Sequence, residues 1–124
     1  MNNFKYPTSE KLKGKNDISL LFEKGKWRTY GNLRIIILKN KETQPISELK
    51  FGVSVSKRYF KKAVDRNRLK RLLRECFRLN KDLYKEAFGD LSHAMLFWAS
   101  SEKAVGYREV EEQFIKLCQA QRKK

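Results

Sequence analysis

Lys50-Phe51-Gly52-Val53-Ser54-Val55-Ser56-Lys57-Arg58-Tyr59-Phe60-Lys61-Lys62-Ala63-Val64-Asp65-Arg66-Asn67-Arg68-Leu69-Lys70-Arg71-Leu72-Leu73-Arg74-Glu75-Cys76-Phe77-Arg78 changes its hydrophobic period partway, and that change sets the fold. From Lys50 to Ser56 the period is two: Phe51, Val53 and Val55 share one face, and Lys50, Gly52, Ser54 and Ser56 the other. This is the pattern of a half-buried strand, and its second face is small and polar enough for something to lie on it. From about Ala63 to Leu79 the apolar residues Leu69, Leu72, Leu73, Cys76 and Phe77 recur at helical spacing, the stripe of a helix docked on a sheet. At 100° per residue, Asn67, Arg71, Arg74 and Arg78 fall within about 40° of the side opposite Leu69, with Arg68 and Lys70 flanking them. One face of this helix is core and the other is nearly all cationic.

Working outward, Asn16 or Asp17 can cap a short helix in which Ile18, Leu21 and Phe22 fall at i, i+3, i+4, and Gly25 ends it. Leu33-Arg34-Ile35-Ile36-Ile37-Leu38, β-branched and apolar, reads as a strand, with a short strand at Trp27 to Tyr30 before it. His93-Ala94-Met95-Leu96-Phe97-Trp98-Ala99 reads as a central strand. A last helix from about Lys103 to Gln119 turns Val110, Phe114, Leu117 and Cys118 inward. The expected architecture is α+β: one two-layer domain over residues 1–124, with a mixed sheet of about four strands, helices packed on it and element order α-β-β-β-α-β-α. The ends, 1–12 and 120–124, are expected to be flexible.

The 124 residues carry 29 Lys+Arg against 14 Asp+Glu, a net charge of +15. Residues 57–78 alone hold ten basic and two acidic side chains, more than half the excess, whereas residues 79–124 are almost neutral. A charge so localised marks a binding surface for a polyanion rather than a diffuse solubilising coat. Hydrophobic residues at 40% and aromatics at 12% exclude a disordered basic tail. No apolar run reaches transmembrane length and the first residues lack a signal-peptide core, so a cytoplasmic location is expected.

Arginine dominates the helix face, and its planar fork suits phosphate oxygens and stacks on bases. The six arginines Arg58, Arg66, Arg68, Arg71, Arg74 and Arg78 have only Asp65 and Glu75 to relieve their repulsion, so a compensating nucleic acid, RNA or DNA, is the expected partner, and an arginine-dominated face suits folded RNA. The stretch Lys50 to Arg58 followed by Ala63 to Glu75, with Arg66-Asn67-Arg68 and Leu69-Lys70-Arg71-Leu72-Leu73-Arg74, resembles the protein subunit of bacterial ribonuclease P. The likeness extends to Leu12, the Asp17–Phe22 helix, Gly25, the Ile-rich strand at 35–37, the strand ending at Ala99 and the closing helix.

The resemblance implies a small subunit of a ribonucleoprotein that removes the 5′ leader from precursor tRNA. In that family the RNA subunit, with bound Mg²⁺, hydrolyses the phosphodiester, and the protein raises substrate affinity and lowers the Mg²⁺ requirement without being catalytic itself. It implies that Lys57, Arg58, Lys61, Lys62, Arg66, Asn67, Arg68, Lys70 and Arg71 bind the catalytic RNA. Ile18, Phe22, Ile36, Ser54 and Arg74 would line a cleft for the single-stranded leader. It also implies a left-handed βαβ crossover. The chain departs from the family where aromatics often stand in place of Ile18 and Ile36, which leaves base stacking more to Phe22. Ser100-Ser101 stands where relatives commonly place basic residues, and Tyr59-Phe60-Lys61-Lys62 is the longer, basic form of its loop.

The residues themselves offer little catalytic equipment. Asp65 and Glu75 are ten positions apart and do not form a carboxylate pair; they read as a first-turn acid and an ion-pair partner for Arg71 or Arg78. Ser54 and Ser56 have no nearby base, His93 sits in an apolar strand, and Cys76 and Cys118 lack metal-ligand spacing and read as buried thiols. Glu109-Val110-Glu111-Glu112 reads as a solubilising face. No protein-bound metal or cofactor, no membrane and no DNA partner are expected. The alternative is a ribosomal-type or other generic RNA-binding protein without a role in cleavage. A helix-turn-helix factor would need a helix, not a strand, just before the basic helix.

Overall fold

The computed structural model describes residues 15–39, 46, 49–102 and 106–122. The expectations for residues 1–12, Leu12 included, and for a helix beginning at Lys103 lie outside these residues. The elements are α1 (Lys15–Lys24), β1 (Lys26–Tyr30), β2 (Leu33–Lys39), β3 (Lys50–Val55), α2 (Ala63–Leu79), α3 (Lys81–Phe88), β4 (Ser92–Trp98) and α4 (Tyr107–Arg122). Asn16 and Asp17 fall within the first turn of α1 rather than before it. Gly25 ends that helix as expected, its N–H donating to Leu21 O at 2.7 Å.

The sheet order is β1-β2-β4-β3. β1 and β2 form a hairpin, β4 runs antiparallel to β2, and β3 is parallel to β4. The turn between β1 and β2 is Gly31-Asn32; Gly31 has φ +57° and Asn32 does not have a positive φ, the arrangement of a two-residue II′ turn. Because β3 and β4 are parallel neighbours, the chain between them must cross the sheet, and α2 and α3 make that crossover.

Strand parity divides the core in two. Leu33, Ile35, Ile37, Phe51, Val55, Ala94, Leu96 and Trp98 face α2, α3 and α4, where they meet Leu69, Leu73, Phe77, Tyr84, Phe114 and Leu117. At its centre Phe51 stacks on Phe77 at 3.9 Å between ring centroids, and Tyr84 stands edge-on to both. The buried Tyr84 hydroxyl is satisfied by Ser92 Oγ at 3.2 Å. On the other face a smaller cluster, Leu21, Ile36, Leu38 and Ile46, seats α1. The body has the two expected layers, with α1 added as a short cover on the second face.

The structure adds one element, α3, to the expected order. Its apolar residues Leu83, Tyr84, Ala87 and Phe88 recur at i, i+1, i+4, i+5, but eight residues are too few to hold a helix without the core they dock on. Its start is fixed by Asn80, whose side-chain amide donates to Cys76 O (2.9 Å), Glu111 Oε2 (3.1 Å) and Tyr107 Oη (3.3 Å). The Tyr107 hydroxyl in turn donates to Glu111 Oε2 at 2.7 Å. Glu111, expected on a solubilising face, therefore ties α4 to the junction of α2 and α3. At the far end α4 continues through Arg122, into the stretch expected as a tail, and Gln121 Oε1 accepts from Arg28 Nε at 2.9 Å.

The Tyr107 hydroxyl and the Asn80 amide hold the Glu111 carboxyl below its ordinary value of 4.5. A carboxylate with a depressed folded pKa stabilises above its unfolded pKa, and that contribution is lost as pH falls through the folded value. Acid melting curves of Glu111→Gln are therefore expected to converge on those of the parent below pH 4.5, where the parent loses this contribution, and to separate above it. A constant gap at all pH values would contradict this role.

Candidate nucleic-acid interface

The loop between β3 and α2 displays its cations because its apolar residue is pinned. Phe60 is buried, the N–H groups of Tyr59 and Phe60 donate to Ser56 O at 3.1 Å, and Ser56 Oγ accepts from Arg58 N at 3.0 Å. Lys57, Arg58, Lys61 and Lys62 are left exposed around this tight turn. Lys62 is the N-cap of α2 and makes no side-chain cap bond, since an ammonium offers no acceptor to the first-turn N–H groups.

Along α2 the buried stripe Leu69, Leu73, Cys76 and Phe77 fixes the helix rotation, so Asn67, Arg68, Arg71 and Arg74 emerge on the solvent side and Lys70 is half-buried beside them. Asn67, Arg71, Arg74, Glu75 and Arg78 line one groove. Glu75 pairs with Arg78 at 3.1 Å, one of the two pairings expected from spacing. Arg74, expected in the leader cleft, shares this groove with Asn67 and Arg71. Arg66 behaves differently from its neighbours: its Nη1 donates to Phe60 O (2.9 Å) and Lys61 O (2.8 Å), bracing the loop that carries Lys61 and Lys62.

A second surface lies on the face of the sheet that α1 only partly covers. Asp17 of α1 pairs with Lys50 of β3 at 3.2 Å, and Leu21 packs over Ile36, so α1 closes the end of the sheet where β3 begins. Ile36, expected to line the leader cleft, is fully buried there and lies beneath α1 with Leu21. Ile18 is half-buried against the same cluster. Beyond α1 the face stays open. Phe22, 43% exposed, meets Phe97 and Trp27 at 6.0 Å each, and Trp27, 38% exposed, meets Phe97 at 5.4 Å. The Arg34 guanidinium lies 4.4 Å over the Trp27 ring, and Ser54 is in register with Phe97.

Trp27, Arg34 and Phe97 are members of this surface that the order of residues does not reveal, since sheet pairing alone joins positions 27 and 97. Alternation within β1 and β4, combined with the strand order, is the signal that would have found them. The thiols of Cys76 and Cys118 are buried and free, and burial pushes the Cys118 thiol up to about 12, so neither is a nucleophile at neutral pH.

The comparisons with known proteins agree with one another. The family model Ribonuclease P matches residues 6–121. The ribonuclease P protein component of Porphyromonas gingivalis (strain W83) is 33% identical over 105 residues, covering 83% of this chain and 76% of the relative. That of Legionella pneumophila (strain Corby) is 37% identical over 75 residues, 60% of this chain and 62% of the relative. Among solved structures, the RNase P protein of Staphylococcus aureus superposes with a TM-score of 0.72 at 21% identity, covering 91% of this chain and 95% of its own. The RNase P protein of Thermotoga maritima gives 0.71 at 26% identity, covering 90% and 96%. With the strand-loop-helix carrying Arg66-Asn67-Arg68 in the same fold, and a family match over nearly its whole length, the chain belongs to the ribonuclease P protein family.

Proposed function

We propose that this chain is the RNA-binding subunit of a ribonuclease P that removes the 5′ leader from precursor tRNA in the cytoplasm. The observation that carries the reading is the presence of two different RNA-compatible surfaces on one domain, a phosphate-dense face on α2 and its preceding loop, and an aromatic face on the sheet. The first suits a folded RNA with crowded phosphates. Exposed cations and the uncapped first turn of α2 both attract phosphate oxygens, while Asn67 offers hydrogen bonds to a base edge or sugar. The second suits unpaired bases, which stack on rings.

In this reading the catalytic RNA docks on Lys57, Arg58, Lys61, Lys62, Asn67, Arg68, Lys70 and Arg71, with Arg66 holding the loop in place. The leader lies on the open sheet face beside Phe22 and Ser54. The polypeptide positions and neutralises; the phosphodiester chemistry belongs to the RNA with Mg²⁺. Among the described residues no group of three His, Cys, Asp or Glu gathers to hold an ion.

The test is cleavage of a precursor tRNA by a bacterial ribonuclease P RNA at low Mg²⁺ with and without this protein. Addition is expected to raise cleavage at the mature 5′ end. Folded protein that binds the RNA yet gives no stimulation would overturn the reading in favour of a generic RNA-binding protein.

A further inference from the structure

The open face of the sheet has a definite row structure. Thr29, Arg34, Phe97 and Ser54 are consecutive partners across β1, β2, β4 and β3. All four fall on the α1 side by strand parity, and the next row begins with Trp27. Adjacent strands are about 4.8 Å apart, so the row spans roughly 14 Å, room for two or three nucleotides of a single strand. It contains no carboxylate. The positions on α1 and β2 that would otherwise supply rings are aliphatic here, Ile18 half-buried and Ile36 fully buried, whereas the exposed Phe22 and Trp27 and the half-buried Phe97 meet within 6.0 Å of one another.

Two exposed rings, Phe22 and Trp27, packed on the half-buried Phe97 make an apolar patch on the uncovered side of the sheet, and such a patch beside a cation marks a binding site. The Arg34 guanidinium carbon sits 4.4 Å over the Trp27 ring, and a guanidinium held against a ring in this way keeps N–H donors for another partner. A flexible lysine could not combine the two. An unpaired nucleotide presents the matching pair of groups, a π-face for the rings and a phosphate for the fork.

We propose that Trp27 and Phe97 form the base-stacking platform of this protein, with Arg34 binding the phosphate that links the stacked bases, so that stacking rests on β1 and β4 rather than on α1 and β2. The inference rests on the leader-binding reading above and assigns its specificity to three residues outside the expected set. The occupant is single-stranded RNA; a duplex buries its π-faces and offers the platform only charge.

Intrinsic fluorescence provides the test, because Trp98 is 1% exposed and Trp27 is the solvent-facing indole. Titrating the full-length protein with an adenosine pentaribonucleotide is expected to quench emission, and an RNA duplex of equal charge should quench far less. Trp27→Ala should abolish the quench while the remaining emission of Trp98 reports the fold. Trp27→Ala and Phe97→Leu are each expected to weaken binding of the pentanucleotide about tenfold, the scale of one lost base stack. Arg34→Lys, which keeps the charge and loses the stacked plane, should weaken it less than Arg34→Ala.

In the holoenzyme these variants should impair cleavage of a precursor with a five-nucleotide leader and spare a leaderless substrate. Unchanged leader dependence in a Trp27→Ala, Phe97→Leu double variant would overturn this assignment while leaving the subunit role intact. Conversely, normal quenching by the pentanucleotide with no stimulation of the ribozyme would uphold the platform and overturn the subunit role. Equal quenching by duplex and single strand would show charge-driven binding only and would also overturn it.

Discussion

Replacing Arg66 and Arg68 together by alanine is expected to weaken binding of the ribonuclease P RNA by about a hundredfold or more at fixed salt. Each charge-assisted hydrogen bond is worth roughly 1.5–3 kcal/mol when its partner cannot be replaced. The two arginines differ in how they contribute. Arg68 stands exposed on α2, whereas Arg66 spends Nη1 on Phe60 O and Lys61 O. Loss of Arg66 should release the loop that holds Lys61 and Lys62, so the affinity loss reaches side chains that were not mutated.

Arg71→Ala is the control for this distinction, because Arg71 is exposed along the α2 groove. It should lower the slope of log K against log[salt] by about 1 and leave the melting temperature unchanged. Arg66→Ala should lower the melting temperature slightly and the slope by more than 1. Filter-binding titrations over a salt series, with parallel thermal melts, measure both quantities. Identical slopes and melting temperatures for the two variants would remove the bracing role from Arg66.

Gly25→Ala is expected to destabilise the fold by about 2–3 kcal/mol, near the upper end of what an overpacked site costs. A methyl at this position would lie 2.5 Å from Leu21 O and 2.7 Å from Ile36 Cγ1. The first of these atoms is backbone, held by the 2.7 Å bond that it accepts from Gly25 N, so α1 cannot relax by turning a side chain. The helix must lift from Ile36, and with it go Leu21 and Phe22. The melting temperature should fall by roughly 10 °C for a domain of this size. Binding of single-stranded RNA should weaken as Phe22 moves away from Trp27 and Phe97, while RNA docking on α2, which packs on the opposite face of the sheet, should be retained. A melting temperature within 2 °C or so of the parent would show that the helix end adapts.

Part of this was open to reading from the order of residues. The stripe Leu69, Leu72, Leu73, Cys76, Phe77 and the cations opposite it are local, because a helix converts spacing into direction with a fixed period. The alternation of Phe51, Val53 and Val55 is local for the same reason. The family likeness reaches further because Arg66-Asn67-Arg68 and its flanks recur in a fixed strand-loop-helix context. α3 escaped because its eight residues acquire a reason to be helical only when Tyr84 docks edge-on against the stacked pair Phe51 and Phe77. Glu111 reads as surface charge because one of its two partners, Asn80, lies 31 positions away at the junction of α2 and α3.

The sequence by itself determined the α+β class, the basic helix α2 with its displayed loop, and the concentration of cations on the outer face of that helix. Each follows from interactions within a few turns or strand residues. Only the tertiary structure decided which residues share the open face of the sheet. Strand order β1-β2-β4-β3 and its register bring Trp27, Arg34 and Phe97 together, and α1 lying across the sheet buries Ile36 while leaving Phe22 exposed. The physical reason is that a strand specifies only which side each residue faces; which strands become neighbours, and which side a helix covers, is settled by burying the largest apolar surface of the whole chain at once.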